Sequence, residues 1–156
     1  MSKARDPRQL VLVAMAGSAA LLGGALVFQY FGGLAPCKMC IWQRWPHGIA
    51  LALGVLWLMR PSAGLLALAA LVVLIGAGIG GYHSGVELGI FEGPDSCTSG
   101  PIADVSTDQL LEQILSAPVV RCDEVAWAFL GLSMAGWNAL LSVGLALIWL
   151  AALRKR

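Results

Sequence analysis

The chain has 156 residues, enough for one domain, and 58% of them are hydrophobic against 12% charged, with a mean hydropathy of +0.79. A soluble domain of this size cannot bury that much apolar surface, so the composition excludes an ordinary water-soluble globule and points to a polytopic membrane protein covered by lipid. The formal net charge of +1 gives no ground for nucleic-acid binding.

The uncharged run at residues 10–31 predicts a first membrane span. It exceeds the length of about 20 residues that a hydrocarbon core about 30 Å thick requires. Lys3, Arg5 and Arg8 give it a basic start, as in a secretory signal. Its apolar region is nevertheless longer than the 7–15 residues or so of a signal. The Leu34-Ala35-Pro36-Cys37 stretch is a poor lipoprotein site, because Pro36 stands where a small residue belongs. A retained span is expected.

The stretch PCKMCIWQRWPH follows, at residues 36–47, and it carries the strongest chemical signal in the chain. Counted over 41–59, a second span would be about 28 Å long. That reaches across only if Arg44 and His47 lie in its first turns, near the headgroups. Cys37 and Cys40 form a two-residue-spaced pair, in which a disulfide forms easily and one thiol is commonly acidified. Lys38 inside the pair, Arg44 four residues on and the helix N-terminus would all favour a thiolate at Cys40. Pro46 suits a first turn, where its missing N–H costs nothing.

A third span is expected over 61–82, with His83 at its outer end, and a fourth over about 126–153. Between them lies a long loop, 83–125. Its GPDSCTSGP segment puts Cys97 in turn-rich chain. The STDQLLEQILSAP segment predicts a short amphipathic helix, capped by Ser106 and Gln109, with Leu110, Leu111, Ile114 and Leu115 on one face. Such a helix would lie on the membrane surface or cover the bundle. Cys122 precedes the last span, where Trp127, Phe129 and Trp137 suit an interface.

Lys3, Arg5, Arg8, Arg60, Arg154, Lys155 and Arg156 fall on one side of these spans, and Lys38, Arg44 and Arg121 on the other. The positive-inside rule makes the first side cytoplasmic. Both termini are then inside, and loops 32–40 and 83–125 face out. All four cysteines are on the outer side, as in an oxidising compartment, the periplasm in a bacterium.

The cysteines alone leave several readings open. Cys37–Cys40 could be a plain staple, although so short a loop gains little chain entropy. Four thiolates could hold a metal, but their spacing is no ribbon or finger pattern, and no metal is expected. Cys97 and Cys122 could form a structural disulfide, or an exposed, exchangeable one. Arg44 could be a lipid-phosphate anchor, and His83 could simply cap its helix. Ionisable residues beside a membrane redox pair also invite a functional reading. The first residues of the second span and the last of the third could line one pocket at the outer membrane face. A lipid-soluble acceptor of two electrons and two protons, presenting oxygens to Arg44, His47 and His83, fits such a pocket; a quinone meets those terms.

Taken together, the four spans, Cys37-Lys38-Met39-Cys40 with Arg44 four residues on, His83 ending span three, a second cysteine pair in the long loop and the CDEVAWAFLGLSMAGWNALL segment resemble the bacterial DsbB family of disulfide bond formation proteins. The resemblance covers nearly the whole chain. It implies an all-α membrane protein of the bacterial inner membrane, a four-transmembrane-helix bundle forming one domain over 1–156. It implies a protein-dithiol:quinone oxidoreductase that reoxidises a periplasmic thioredoxin-fold oxidase, similar to DsbA, at the expense of ubiquinone or menaquinone. By position, Cys97 would receive the partner's attack, and Cys122 would exchange with the Cys37–Cys40 pair. Cys40 would face the quinone, and Arg44 would hold and polarise it, with His83 nearby. It assigns His47 no role. Lys38 departs from members that have two apolar residues inside the pair. Two other readings stay open: a scaffold stapled by structural disulfides, and an enzyme resembling vitamin K epoxide reductase. The early position of Cys37–Cys40 counts against the second.

Overall fold

A computed structural model describes residues 6–94 and 120–155. Four long helices make up most of it: α1 (Pro7–Tyr30), α2 (Lys38–Met59), α3 (Ala63–Glu87) and α4 (Met134–Arg154). A two-residue hairpin, β1 (Ala128–Phe129) and β2 (Leu132–Ser133), precedes α4. Cys97 and the predicted amphipathic helix of the outer loop lie outside the described residues.

Local chemistry sets the helix ends. Asp6 caps α1 by accepting from the Arg8 N–H at 3.1 Å, and Pro7 occupies the first helical position, where no donor is lost. Ser133 caps α4 by accepting from the Gly136 N–H at 3.1 Å. That helix starts at Met134, later than the 126 expected from the uncharged run. The reason is a tight turn in which Leu130 (φ 52°) and Gly131 (φ 80°) both take the left-handed region. This is the signature of a primed hairpin turn, which no helix can continue.

The second helix departs the other way. It begins at Lys38 with Cys37 as its N-cap, so Pro46 falls inside the helix rather than in its first turn. The freed turn at Pro46 is supported by packing. A Cβ on Gly76 of α3 would come within 2.9 Å of Pro46 Cβ, so only a glycine lets α3 close onto the proline ring.

The helices run alternately up and down, with α3 packed most extensively on α4 and α2, and α1 on both of those. At the end where α1 and α3 begin, Leu10, Val11, Leu53, Trp57, Leu66, Val73 and Trp149 form a dry core. At the opposite end Cys37, Met39 and Cys122 are buried together. The outside is apolar as well: Leu26, Val27, Val55, Leu71, Ile75, Leu140 and Leu147 are all exposed. A surface of that kind is stable against lipid rather than water. Helices α1, α3 and α4 are each long and apolar enough to cross a membrane; α2 carries Gln43, Arg44 and His47 in its first half.

Candidate functional site

The site is built at the cysteine end of the bundle. Because α2 starts at Lys38, Cys37 stands where a helix offers unpaired N–H groups and a positive dipole end. Its sulfur accepts from the Cys40 backbone N–H at 3.1 Å. The Cys40 sulfur lies 2.6 Å away, and His83 Nε2 lies at 3.6 Å. The thiol hydrogen bond from Cys40 holds the Cys37 thiol well below the ordinary range. Burial opposes this, and the His83 and Cys40 N–H bonds add to it. The sequence points instead to a thiolate at Cys40. With the helix beginning early, the capping sulfur is that of Cys37, and it collects those contacts.

Cys122 is buried against the Cys37 and Met39 side chains and is disulfide-bonded. Its backbone also meets the His83 ring. Both cysteine segments within the described residues therefore converge on one histidine.

A cavity of about 410 Å³ opens beside the pair. Cys37, Cys40, Arg44, His47 and His83 all line it, so the structure brings five of the seven sequence-derived site residues to one space. Cys122 is packed behind the pair. The cavity's walls are largely apolar and partly aromatic. Phe28 meets Trp127 with ring centroids 5.1 Å apart, Trp127 stacks on Phe129 at 6.0 Å, and Phe129 meets Trp137 at 6.4 Å. The hairpin sets this wall in place, and Trp137 Nε1 donates to the Phe129 carbonyl at 2.9 Å. Arg44 spans to α1, where its Nη1 donates to Gln29 Oε1 at 2.6 Å. The guanidinium is thereby held at the cavity wall with further N–H donors to offer.

Four polar residues in or beside the site were missed from sequence: Gln29, Gln43, Glu87 and Asn138. Glu87 Oε1 lies 4.0 Å from His83 Nε2, and both side chains are buried. Gln43 Nε2 is 2.7 Å from His83 Nδ1, and Gln43 Oε1 accepts from Asn138 Nδ2 at 2.8 Å. His47 Nε2 faces Asn138 Oδ1 at 3.0 Å, while its buried Nδ1 has no hydrogen-bond partner among the described residues. A cue was available for two of the four. Gln43 is four residues before His47, and Glu87 is four residues after His83, so each pair shares a helix face. The Cys37 and Cys40 sulfurs and a His83 nitrogen also lie within 4.8 Å of one another, close enough by distance alone to hold a soft metal ion.

Comparison with known proteins identifies the family. The family model described as "Disulfide bond formation protein DsbB" matches residues 7–152. The chain is 37% identical over 143 residues to a disulfide bond formation protein B of Pasteurella multocida, covering 84% of this chain and 79% of that one. It is 38% identical over 149 residues to its namesake in Aromatoleum aromaticum, covering 88% and 86%. It is 36% identical over 145 residues to that of Xylella fastidiosa strain Temecula1, covering 83% and 80%. No solved structure matches the chain.

Proposed function

Because the chain belongs to the DsbB family of disulfide bond formation proteins, we propose that it is a membrane thiol:quinone oxidoreductase. It draws electrons from a periplasmic thioredoxin-fold dithiol oxidase and delivers them to ubiquinone or menaquinone. The observation that carries this reading is the shared cavity, which sets a cysteine pair, a tethered guanidinium and a histidine around one apolar, aromatic-walled space. The same reading makes 1–156 a single inner-membrane domain of four spans, with termini in the cytoplasm and cysteines in the periplasm.

The residues present fit a quinone. The volume is that of a small-molecule site, the aromatic wall suits a flat ring, and Arg44 offers donors to an oxygen. When bound, such a group supplies an acceptor for two electrons and two protons. This chain's own residues do the rest. Arg44, fixed by Gln29, orients the ligand's oxygen and favours negative charge there. The aromatic wall excludes water. Cys97 takes the attack of the partner's thiolate, and Cys122 leaves. The Cys122 thiolate then bonds to Cys37 while the Cys37–Cys40 bond breaks and Cys40 leaves with the electron pair. Burial of Cys122 against Cys37 supports exchange at that sulfur.

The test is anaerobic mixing of purified protein with a reduced partner and a soluble quinone. One quinone should be reduced per partner disulfide formed. Cys97→Ser should abolish transfer from the partner yet leave quinone-dependent oxidation of small thiols, and Cys40→Ser should abolish quinone reduction. Partner oxidation at the normal rate by Cys97→Ser protein would overturn the order of transfer. Absence of quinone reduction in the unaltered protein would favour a stapled scaffold instead.

A further inference from the structure

The polar side chains beneath the cysteine pair form one hydrogen-bonded chain, and its ends dictate which atom donates at each link. The Met39 carbonyl, inside the cysteine pair, can only accept. Gln43 Nε2 lies 3.3 Å from it, so that end of the amide is the NH2 group. The same nitrogen is 2.7 Å from His83 Nδ1 and must donate there, which requires Nδ1 to be unprotonated. Gln43 Oε1 consistently accepts from Asn138 Nδ2 at 2.8 Å, and Asn138 Oδ1 is left to accept from His47 Nε2 at 3.0 Å. Across the His83 ring, Nε2 faces groups that accept: the Cys37 sulfur at 3.6 Å and Glu87 Oε1 at 4.0 Å. A donor aimed at one ring nitrogen and acceptors gathered at the other demand the same tautomer.

We propose that Gln43 is a positioning residue that locks His83 in the neutral, Nε2-protonated tautomer, making the ring a fixed hydrogen-bond donor to the Cys37 sulfur. The proposal rests on the proposed function only in treating Cys37 as an exchanging sulfur. A thiolate that keeps a donor at a constant position is a better leaving group whenever a disulfide to Cys37 is broken. The same lock argues against metal binding by the Cys37, Cys40 and His83 cluster. Ligation through Nε2 would require that nitrogen to lose its proton while Nδ1 still faces an N–H. Asn138 and His47 extend the chain into the bundle and hold the Gln43 amide from its far side.

The experiment uses the reduced, full-length protein in detergent micelles, labelled with 15N at histidine and free of quinone. Two-bond proton–nitrogen correlations report the protonation of each ring nitrogen, and His83→Gln identifies the His83 signals. At pH 7 the His83 Nδ1 should show the shift of an unprotonated nitrogen, and Nε2 that of a protonated one. Gln43→Glu replaces the donor with an acceptor and should draw a proton to Nδ1. Gln43→Met should weaken the acidity of Cys37 about tenfold, read by peptide mass from the pH dependence of its alkylation, the equivalent of losing one hydrogen bond to a charged sulfur. Its pH profile should move up toward that of an ordinary thiol. The titratable groups facing that sulfur are Cys40 on its own helix and His83 and Glu87 on α3, with Arg44, His47, Arg121 and Glu124 lining the same cavity. A proton on Nδ1 in the unaltered protein would overturn the proposal, even if Gln43→Met failed to fold. So would an unchanged Cys37 profile in a folded Gln43→Met protein. Neither readout involves a quinone, so failure to reduce quinone would count against the proposed function alone.

Discussion

Arg44 shows how much a single side chain's tether matters. Its Nη1 bond to Gln29 holds the guanidinium against the cavity while leaving other N–H groups free to meet a ligand oxygen. Arg44→Lys keeps the charge and loses the planar, multi-donor head. We expect it to raise the quinone KM while leaving exchange with the partner intact, and Arg44→Met to lose more. Loss of one charge-assisted hydrogen bond costs about 1.5–3 kcal/mol, or roughly one to two decades in kcat/KM. Unchanged KM in both variants, measured in detergent, would return Arg44 to the role of a lipid anchor. Cys37, Cys40, Arg44 and the two histidines, which share the cavity, were legible in the sequence because such groups are rare in apolar chain. The identity of the acidified sulfur was not. It depends on where α2 begins, and the apolar run around Trp42 could not show that Cys37 would cap the helix. Asn138 was illegible for another reason: its partner Gln43 is 95 residues away, and a neutral amide leaves no charge signal.

At the scale of the elements, close helix approach does the positioning. A Cβ on Gly80 would meet the Ala135 carbonyl and the Ala139 backbone at 3.1–3.2 Å. Gly80 thus lets α3 lie against the start of α4, one turn from His83. Gly80→Leu should force those helices apart and destabilise the protein by about 1–3 kcal/mol, with Cys37 losing part of its acidity as His83 retreats. Gly78→Ala, where nothing lies within 4 Å, serves as the comparison and should leave the melting temperature unchanged or raised. Equal thermal unfolding of the two variants would show that the α3–α4 contact is not limiting. The long apolar runs made α1 and α3 plain from composition. The start of α4 was missed because AWAFLGLS is as apolar as a helix, and the left-handed turn at Leu130 and Gly131 leaves only one glycine as its trace.

Over the whole molecule, charge and apolar surface are sorted. Among the described residues, Arg8, Arg60, Arg154 and Lys155 lie at one end of the bundle, and Cys37, Cys40 and Cys122 at the other. A membrane-impermeant thiol reagent added to intact, reduced cells should therefore label Cys37, Cys40, Cys97 and Cys122. Labelling that required lysis would reverse the topology. The general character of the bundle is legible in the chain because lipid selects composition directly. So is a pocket between the start of the second span and the end of the third; its aromatic wall is not, since it depends on the hairpin that precedes α4. The polar first half of α2 has a consequence for how such a protein is made. Gln43, Arg44, Pro46 and His47 weaken the tendency of this helix to leave the insertion machinery for lipid by itself. Its neighbours α1 and α3 are each long and apolar enough to cross unaided, and they pack against it together with α4, whose Asn138 meets Gln43 and His47. The segment that carries the chemistry would then be a late passenger of biogenesis, retained near the translocation pore until the helix after it emerges.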